Sequence, residues 1–206
     1  MRYLILGASS YIGGYLYDRM KENNVDVIGT QCHVTCDKEF LRYDILHDDI
    51  DQVLQSIKEF PNIAVICIAQ TNFDRCADDF EMAHAVNVVY MKKLICRLQA
   101  WNIKVIYISS DNVFDGEKGN YTEQDKTNAI GKYGMMKEEM EHFILDNFPN
   151  ACILRIAKPI SERQAKRNLL TEWEHKKKER TTIFCIRNNY MSFVAMEDIF
   201  KICMLA

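Results

Sequence analysis

Short apolar runs rich in β-branched residues alternate along the chain with longer segments whose apolar positions recur at helical spacing. Arg2–Leu6, Val25–Gly29, Ile63–Ala69, Lys104–Ser110, Ala151–Ile156 and Thr181–Ile186 read as strands. Between them, Gly13–Asn23, Ile50–Phe60, Phe80–Trp101, Tyr133–Asn147 and Glu162–Lys178 read as helices. The strand segments are apolar on both faces, a pattern that fits a parallel sheet covered on each side. Right-handed crossovers then predict an α/β fold, a Rossmann-like doubly wound parallel sheet with helices on both faces. The last stretch reads as a brief extended piece at Phe193-Val194 and a helix from Met196 that carries Ile199, Phe200, Ile202 and Cys203. The organisation expected is a core over 1–158 and a short, reduced substrate-side segment over 159–206, packed on the same domain.

Composition narrows the class of partner. The 206 residues include 26 basic and 29 acidic side chains for a net charge of -3, which supplies no field for sequence-independent nucleic-acid binding. The opening MRYLILG lacks the layout of a signal peptide, and the strongest apolar stretch, Ile63–Ala69, is too short to span a bilayer. The expectation is a cytoplasmic protein with small-molecule partners and no membrane or nucleic-acid role. Of the 8 cysteines, Cys67, Cys152, Cys185 and Cys203 lie inside apolar runs, where a free thiol packs as a small hydrophobe. Cys32, His33 and Cys36 lack the second ligand pair that a zinc site needs, so no metal is expected.

The first strand runs directly into Gly7-Ala8-Ser9-Ser10-Tyr11-Ile12-Gly13-Gly14 and then a helix. In that context Gly7 lets the backbone turn off the strand and Gly13 allows close helix–strand packing. The amides at the helix start are then free to receive a pyrophosphate. The second strand ends Gly29-Thr30-Gln31 without the acid that accepts from an adenosine 2′-hydroxyl. Thr30, Gln31 and His33 can donate to a phosphate, so NADP(H) is favoured over NAD(H).

Ser110 closes the strand Lys104–Ser110, and Tyr133 and Lys137 stand four apart on one face of a predicted helix. A tyrosine has an ordinary pKa near 10, and a neighbouring ammonium is expected to lower it. Tyr133 could then give a proton to a carbonyl oxygen that Ser110 polarises, while Lys137 also holds a nicotinamide ribose.

The strings YISSDNVFDG at Tyr107–Gly116, GNYTE after it, and KYGMMK resemble the active-site region of the extended short-chain dehydrogenases, in particular the dTDP-4-dehydrorhamnose reductase family. The resemblance covers Met1 to about Pro159 and includes Tyr43-Asp44-Ile45, Ala69-Gln70-Thr71, Asp74-Arg75-Cys76 and Ala85-Val86-Asn87-Val88. It implies that Ser110, Tyr133 and Lys137 are the catalytic set and that Asp111 is the acid beside them. Gly7, Ser9, Ser10, Tyr11, Ile12, Gly13, Thr30, Asp44, Ile45, Ala69, Gln70, Thr71 and Ile108 are implied as cofactor contacts, together with Tyr133 and Lys137. Asn87 is grouped with them as support for the active-site helix. Ser110, Asp111, Asn112 and Lys158 fall on the substrate side.

The chain departs from the family pattern at Ser10, which replaces a loop glycine, at Asn112 and Lys158, and in the short stretch after Pro159. The basic run that follows offers Arg163, Lys166 and Arg167 to a substrate diphosphate, or else forms a solvated helix face. Three functions stay open: an NAD(P)H-dependent reductase of a keto group on a nucleotide-linked sugar, an epimerase or dehydratase that uses its cofactor transiently, and a non-catalytic NADP-binding regulatory subunit. A homodimer is the assembly considered.

Overall fold

The structure is a computed structural model that describes residues 1–33, 39–161, 169–182 and 190–206. Two compact units divide the chain, Met1–Arg155 and Ile156–Ala206.

In the first unit a six-stranded sheet runs in the order β3-β2-β1-β4-β5-β6. The strands are β1 (Arg2–Leu6), β2 (Asp26–Gln31), β3 (Leu41–Arg42), β4 (Ile63–Ile66), β5 (Lys104–Ser110) and β6 (Cys152–Ile156). The pairs β1·β2, β1·β4, β2·β3 and β4·β5 are all parallel. Leu4 and Leu6 of β1 join one core cluster with Ala64, Ile66, Val105 and Tyr107, while the alternating neighbours Tyr3, Ile5, Val65 and Ile106 are equally buried. Because successive side chains point to opposite faces, burial of both sets means that both faces are covered. The doubly wound parallel sheet expected from the strand pattern is therefore the fold observed.

The helices of this unit are α1 (Tyr11–Glu22), α2 (Ile50–Ser56), α3 (Phe73–Asp78), α4 (Phe80–His84), α5 (Tyr90–Ala100) and α6 (Lys132–Asn147). Met91, Leu94, Ile95 and Leu98 form the buried stripe of α5. Each of these side chains contributes about 1.5–3 kcal/mol by leaving water. α6 buries Met136, Met140 and Ile144 at the same spacing, together with the polar Lys137 and Glu141. The single helix expected over Phe80–Trp101 is in fact interrupted by a π-helical turn at Ala85–Val89. β2 reaches Gln31, two residues beyond the expected end, and β3 and α3 were not expected.

The sheet order reverses between β1 and β4, whose carboxyl ends therefore face a crevice of the kind in which open α/β sheets bind ligands. The phosphate loop follows β1 and the Ala69-Gln70-Thr71 segment follows β4, so sequence places both at this switch point.

The second unit pairs β7 (Lys158–Ile160) in parallel with β8 (Phe193–Ala195) and holds α7 (Leu169–Lys178) and α8 (Met196–Leu205). α8 buries Met196, Ile199, Phe200 and Cys203. Thr181 and Thr182, the start of the strand expected over Thr181–Ile186, are not in a strand. The rest of that segment lies outside the described residues, as do Cys36, Arg163, Lys166, Arg167 and Cys185. No helix among the described residues is long and apolar enough to cross a membrane.

Candidate active site

The phosphate loop is built by close backbone approach. Gly7 has φ +87, in the left-handed region that favours glycine, and a Cβ there would press on Cys67 and Ile68 at about 3.1 Å. At Gly13 a Cβ would fall 2.3 Å from the Gly7 carbonyl oxygen, so no side chain fits while α1 stays against the loop. Ser10 caps α1 by accepting from the Gly13 amide at 3.1 Å. Thr30, fully buried at the end of β2, accepts from the Gly7 amide through Oγ1 at 3.1 Å and from the Ala8 amide through its carbonyl at 2.7 Å. Ser9 stands exposed at the loop tip, and Tyr11 and Ile12 open the helix, whose first-turn amides have no intrahelical acceptor. The Tyr11 hydroxyl and Gln31 Oε1 are buried with no hydrogen-bond partner among the described residues. The Tyr11 and Ile12 amides at the helix start, a cradle closed to any Cβ and orphaned polar atoms fit a dinucleotide pyrophosphate and its ribose.

At the end of β4 the buried Asn87 side chain clasps Gln70. Its Oδ1 accepts from the Gln70 amide at 2.8 Å, and its Nδ2 donates to the Gln70 carbonyl at 2.9 Å and approaches Met136 Sδ at 3.8 Å. Asn87 thus ties the segment after β4, the π turn and α6 together, and holds Ala69, Gln70 and Thr71 in place. Asp44 folds back on its own loop, accepting from the Leu46 amide at 3.0 Å, and this bond lowers its pKa. Ile45 beside it is buried.

Ser110 ends β5 nearly buried. Its Oγ lies 3.2 Å from Asp111 Oδ1, to which it donates, and accepts from Asn112 Nδ2 at 2.9 Å. A Cβ at Gly134 would stand 2.1 Å from the Asn112 carbonyl oxygen, which brings the start of α6, and Tyr133 with it, against this turn. One helical turn on, Lys137 Nζ donates to the Ile108 carbonyl at 2.7 Å and to Tyr107 Oη at 3.1 Å. Ser110, Asp111, Asn112, Ile108, Tyr133 and Lys137 therefore share one end of β5 and one face of α6.

The electrostatics differ from the sequence expectation. Lys137 was expected to lower the Tyr133 pKa, but burial pushes the phenol up to about 12, with Cys76 and Asp111 adding to the shift. Burial also brings Lys137 down to about 8, while Cys67 and Glu141 partly offset the fall. The ammonium is directed to Tyr107 and Ile108, so desolvation dominates at Tyr133.

Four residues that the sequence reading did not single out belong to this surrounding. Tyr107 is the hydroxyl partner of Lys137. Glu141, 1 % exposed, accepts from Ser109 Oγ and forms a bidentate pair with Arg155, Nη2 to Oε2 at 2.7 Å. Phe73 packs its ring 5.5 Å from that of Tyr133 and is otherwise exposed. Lys158, which the resemblance had placed on the substrate side, opens β7 in the second unit with its side chain exposed.

A sequence profile of the RmlD substrate-binding domain matches residues 1–204. The chain belongs to that family. Among solved structures, a dTDP-4-dehydrorhamnose reductase of Clostridium acetobutylicum superposes with a TM-score of 0.84 at 25% identity, covering 100% of this chain and 69% of the other. A Bacillus anthracis dTDP-4-dehydrorhamnose reductase in complex with NADP gives 0.83 at 23% identity, over 99% of this chain and 69% of the other, and speaks to the fold alone. These family members are the extended short-chain dehydrogenases that the active-site strings resemble. Among curated proteins, the methionine adenosyltransferase 2 subunit beta of Danio rerio is 34% identical over 75% of this chain and 47% of its own length. A probable low-salt glycan biosynthesis reductase of Haloferax volcanii is 31% identical over 74% of this chain and 52% of its own. The chain therefore spans about half the length of the curated relatives it matches.

Proposed function

We propose that the chain is an NAD(P)H-dependent reductase of a keto group on a nucleotide-linked sugar, with NADP(H) preferred. What supports this reading is the approach of α6 to the carboxyl end of β5, where Lys137 bonds the Ile108 carbonyl and Gly134 closes on the Asn112 carbonyl, two residues past Ser110. A bound nicotinamide would supply the electron pair for carbonyl reduction. Gly7 to Gly13, Thr30, Gln70 and Thr71 would hold the dinucleotide, with Asp44 and Ile45 toward its adenine.

In this reading the Ser110 hydroxyl turns its hydrogen from Asp111 to the carbonyl oxygen, polarising it, and Tyr133 gives that oxygen a proton. A phenol held at about 12 is fully protonated at neutral pH, which suits a donor in the direction of reduction. Lys137, with a pKa near 8, stays mostly protonated at neutral pH and keeps its positive charge beside the site. Asp111 and Asn112 keep the Ser110 hydroxyl oriented, and Lys158 belongs to the substrate side.

The test is cofactor oxidation by purified protein supplied with NADPH and a panel of 4-keto nucleotide sugars. Turnover is expected, and Tyr133→Phe should lower kcat by about 10²–10⁴-fold. Absence of turnover across the panel, with NADPH bound, would reject the reductase.

The relative named as a methionine adenosyltransferase subunit, at 34% identity, favours a second reading: a dinucleotide-binding partner of another enzyme. Stoichiometric NADP binding without turnover, together with a co-purifying enzyme whose activity changes when this chain is removed, would establish it over the reductase.

A further inference from the structure

The end of β2 is where a Rossmann sheet reads the 2′ position of adenosine, and a carboxylate there accepts from the hydroxyl of NAD(H) while repelling the phosphate of NADP(H). This chain has Gln31 at that place. The side chain is only 6 % exposed, and its Oε1 has no hydrogen-bond partner among the described residues. A buried, unpaired amide oxygen in a native fold calls for a partner that arrives from outside.

β3 supplies the second observation. This two-residue edge strand pairs with β2 in the register Thr30↔Leu41 and Gln31↔Arg42, and the Gln31 carbonyl accepts from the Tyr43 amide at 2.9 Å. Arg42 is thereby set directly beside Gln31, although eleven positions separate them in sequence. Its side chain is 72% exposed, and its carboxylate contact among the described residues, Nη1 to Asp48 Oδ1, is 3.9 Å, beyond hydrogen-bonding range. The local carboxylates are engaged by amides of their own loop: Asp48 Oδ2 accepts from the Asp44 amide at 2.8 Å and Asp44 Oδ1 from the Leu46 amide at 3.0 Å. Among the described residues no hydrogen bond engages the Arg42 guanidinium, and the strand register sets this residue beside Gln31.

We propose that Gln31 and Arg42 together read the adenosine 2′ substituent and that Arg42, on β3, is the residue that selects the 2′-phosphate. This rests on the dinucleotide reading of the phosphate loop and deepens it. Gln31 discriminates weakly, because an amide accepts from a hydroxyl through oxygen or, turned over, donates to a phosphate through nitrogen. Arg42 discriminates strongly, because a guanidinium fork suits phosphate oxygens and gives little to a hydroxyl. The chain should consequently bind both dinucleotides, with a preference for the phosphorylated one that salt erodes.

Calorimetric titration of the full chain with NADP+ and with NAD+ tests this without any turnover. Arg42→Ala is expected to weaken NADP+ binding by about tenfold or more while NAD+ changes by less than about twofold. Added sodium chloride should weaken NADP+ binding by the parent chain much more than by the variant. Gln31→Glu should reverse the order, keeping NAD+ and losing NADP+. Equal loss of both dinucleotides in Arg42→Ala, or an unchanged ratio in both variants, would overturn the assignment while leaving the dinucleotide site intact. If the parent chain binds neither, the dinucleotide reading itself fails and this assignment with it. Should Arg42→Ala melt in circular dichroism, Arg42→Lys and Gln31→Glu give the same comparison.

Discussion

At the scale of single residues, Lys137 and Tyr133 are both governed by burial, which acts on them with opposite signs. The unfolded chain holds the Lys137 proton up to the ordinary value of 10.5, whereas the folded chain releases it at about 8. Between those two values the unfolded state binds more protons, so raising the pH favours the fold. Stability gained from Lys137 should rise from pH 8 to 10.5 and total on the order of 3 kcal/mol. Tyr133 works the other way. Its folded value of about 12 exceeds the ordinary 10, so its contribution is complete below pH 10 and is lost as the pH climbs to 12. Urea denaturation of the parent chain and of Lys137→Met across pH 8 to 10.5 separates the two. The parent should gain on the variant steadily through that window, whatever the offset at neutral pH. Parallel stability curves would show that Lys137 is not held deprotonation-prone by burial.

At the scale of elements, the π turn at Ala85–Val89 decides how the site is braced. A π turn inserts one residue into the helical repeat, and such turns cluster at functional sites. Here it accompanies a buried Asn87 whose amide meets both backbone groups of Gln70. Replacing Asn87 by Leu strands those groups, and a loss of about 1–3 kcal/mol in chemical denaturation is expected. NADP+ affinity should fall with it, because Gln70 follows β4 at the switch point. Unchanged affinity in a folded Asn87→Leu chain would confine Asn87 to a purely structural role.

The same elements show what the sequence makes legible. β5 was readable to its last residue, since burial on both faces leaves an uninterrupted apolar run from Val105 to Ile108. The place of Ser110 at the end of β5 and of Tyr133 and Lys137 on one helix was readable from chain order and helical spacing. The π turn was not, because it preserves the apolar composition of a continuous helix. β3 has two residues and no pattern of its own; it exists because the Gln31 carbonyl has the Tyr43 amide to accept from. Arg42 was therefore invisible as a neighbour of Gln31, and the buried pair of Glu141 with Arg155 was hidden for the same reason, since no local period reports a contact made across the fold.

At the scale of the whole molecule, every residue assigned to the dinucleotide lies in the unit Met1–Arg155, while the β7–β8 pair and α8 belong to Ile156–Ala206. A ligand stabilises against opening the segments it binds, by its free energy of binding, and leaves independently opening segments as they were. Hydrogen exchange with and without saturating NADP+ should accordingly slow at the amides of β1, α1, β4 and β5, with the largest change in the first turn of α1, whose donors have no acceptor within the helix. Exchange in α8 should stay unchanged with NADP+ alone and slow only when a keto-sugar nucleotide is added, if the second unit serves the substrate as its place after the reductase-like core suggests. Slowing of α8 by NADP+ alone would mean that the two units open together, and the division of labour between cofactor and sugar would have to be abandoned. Slowing confined to the first unit, with no response of α8 to any keto-sugar, would instead favour the role of dinucleotide-binding partner, because the core would then retain its cofactor site without a substrate-responsive second unit.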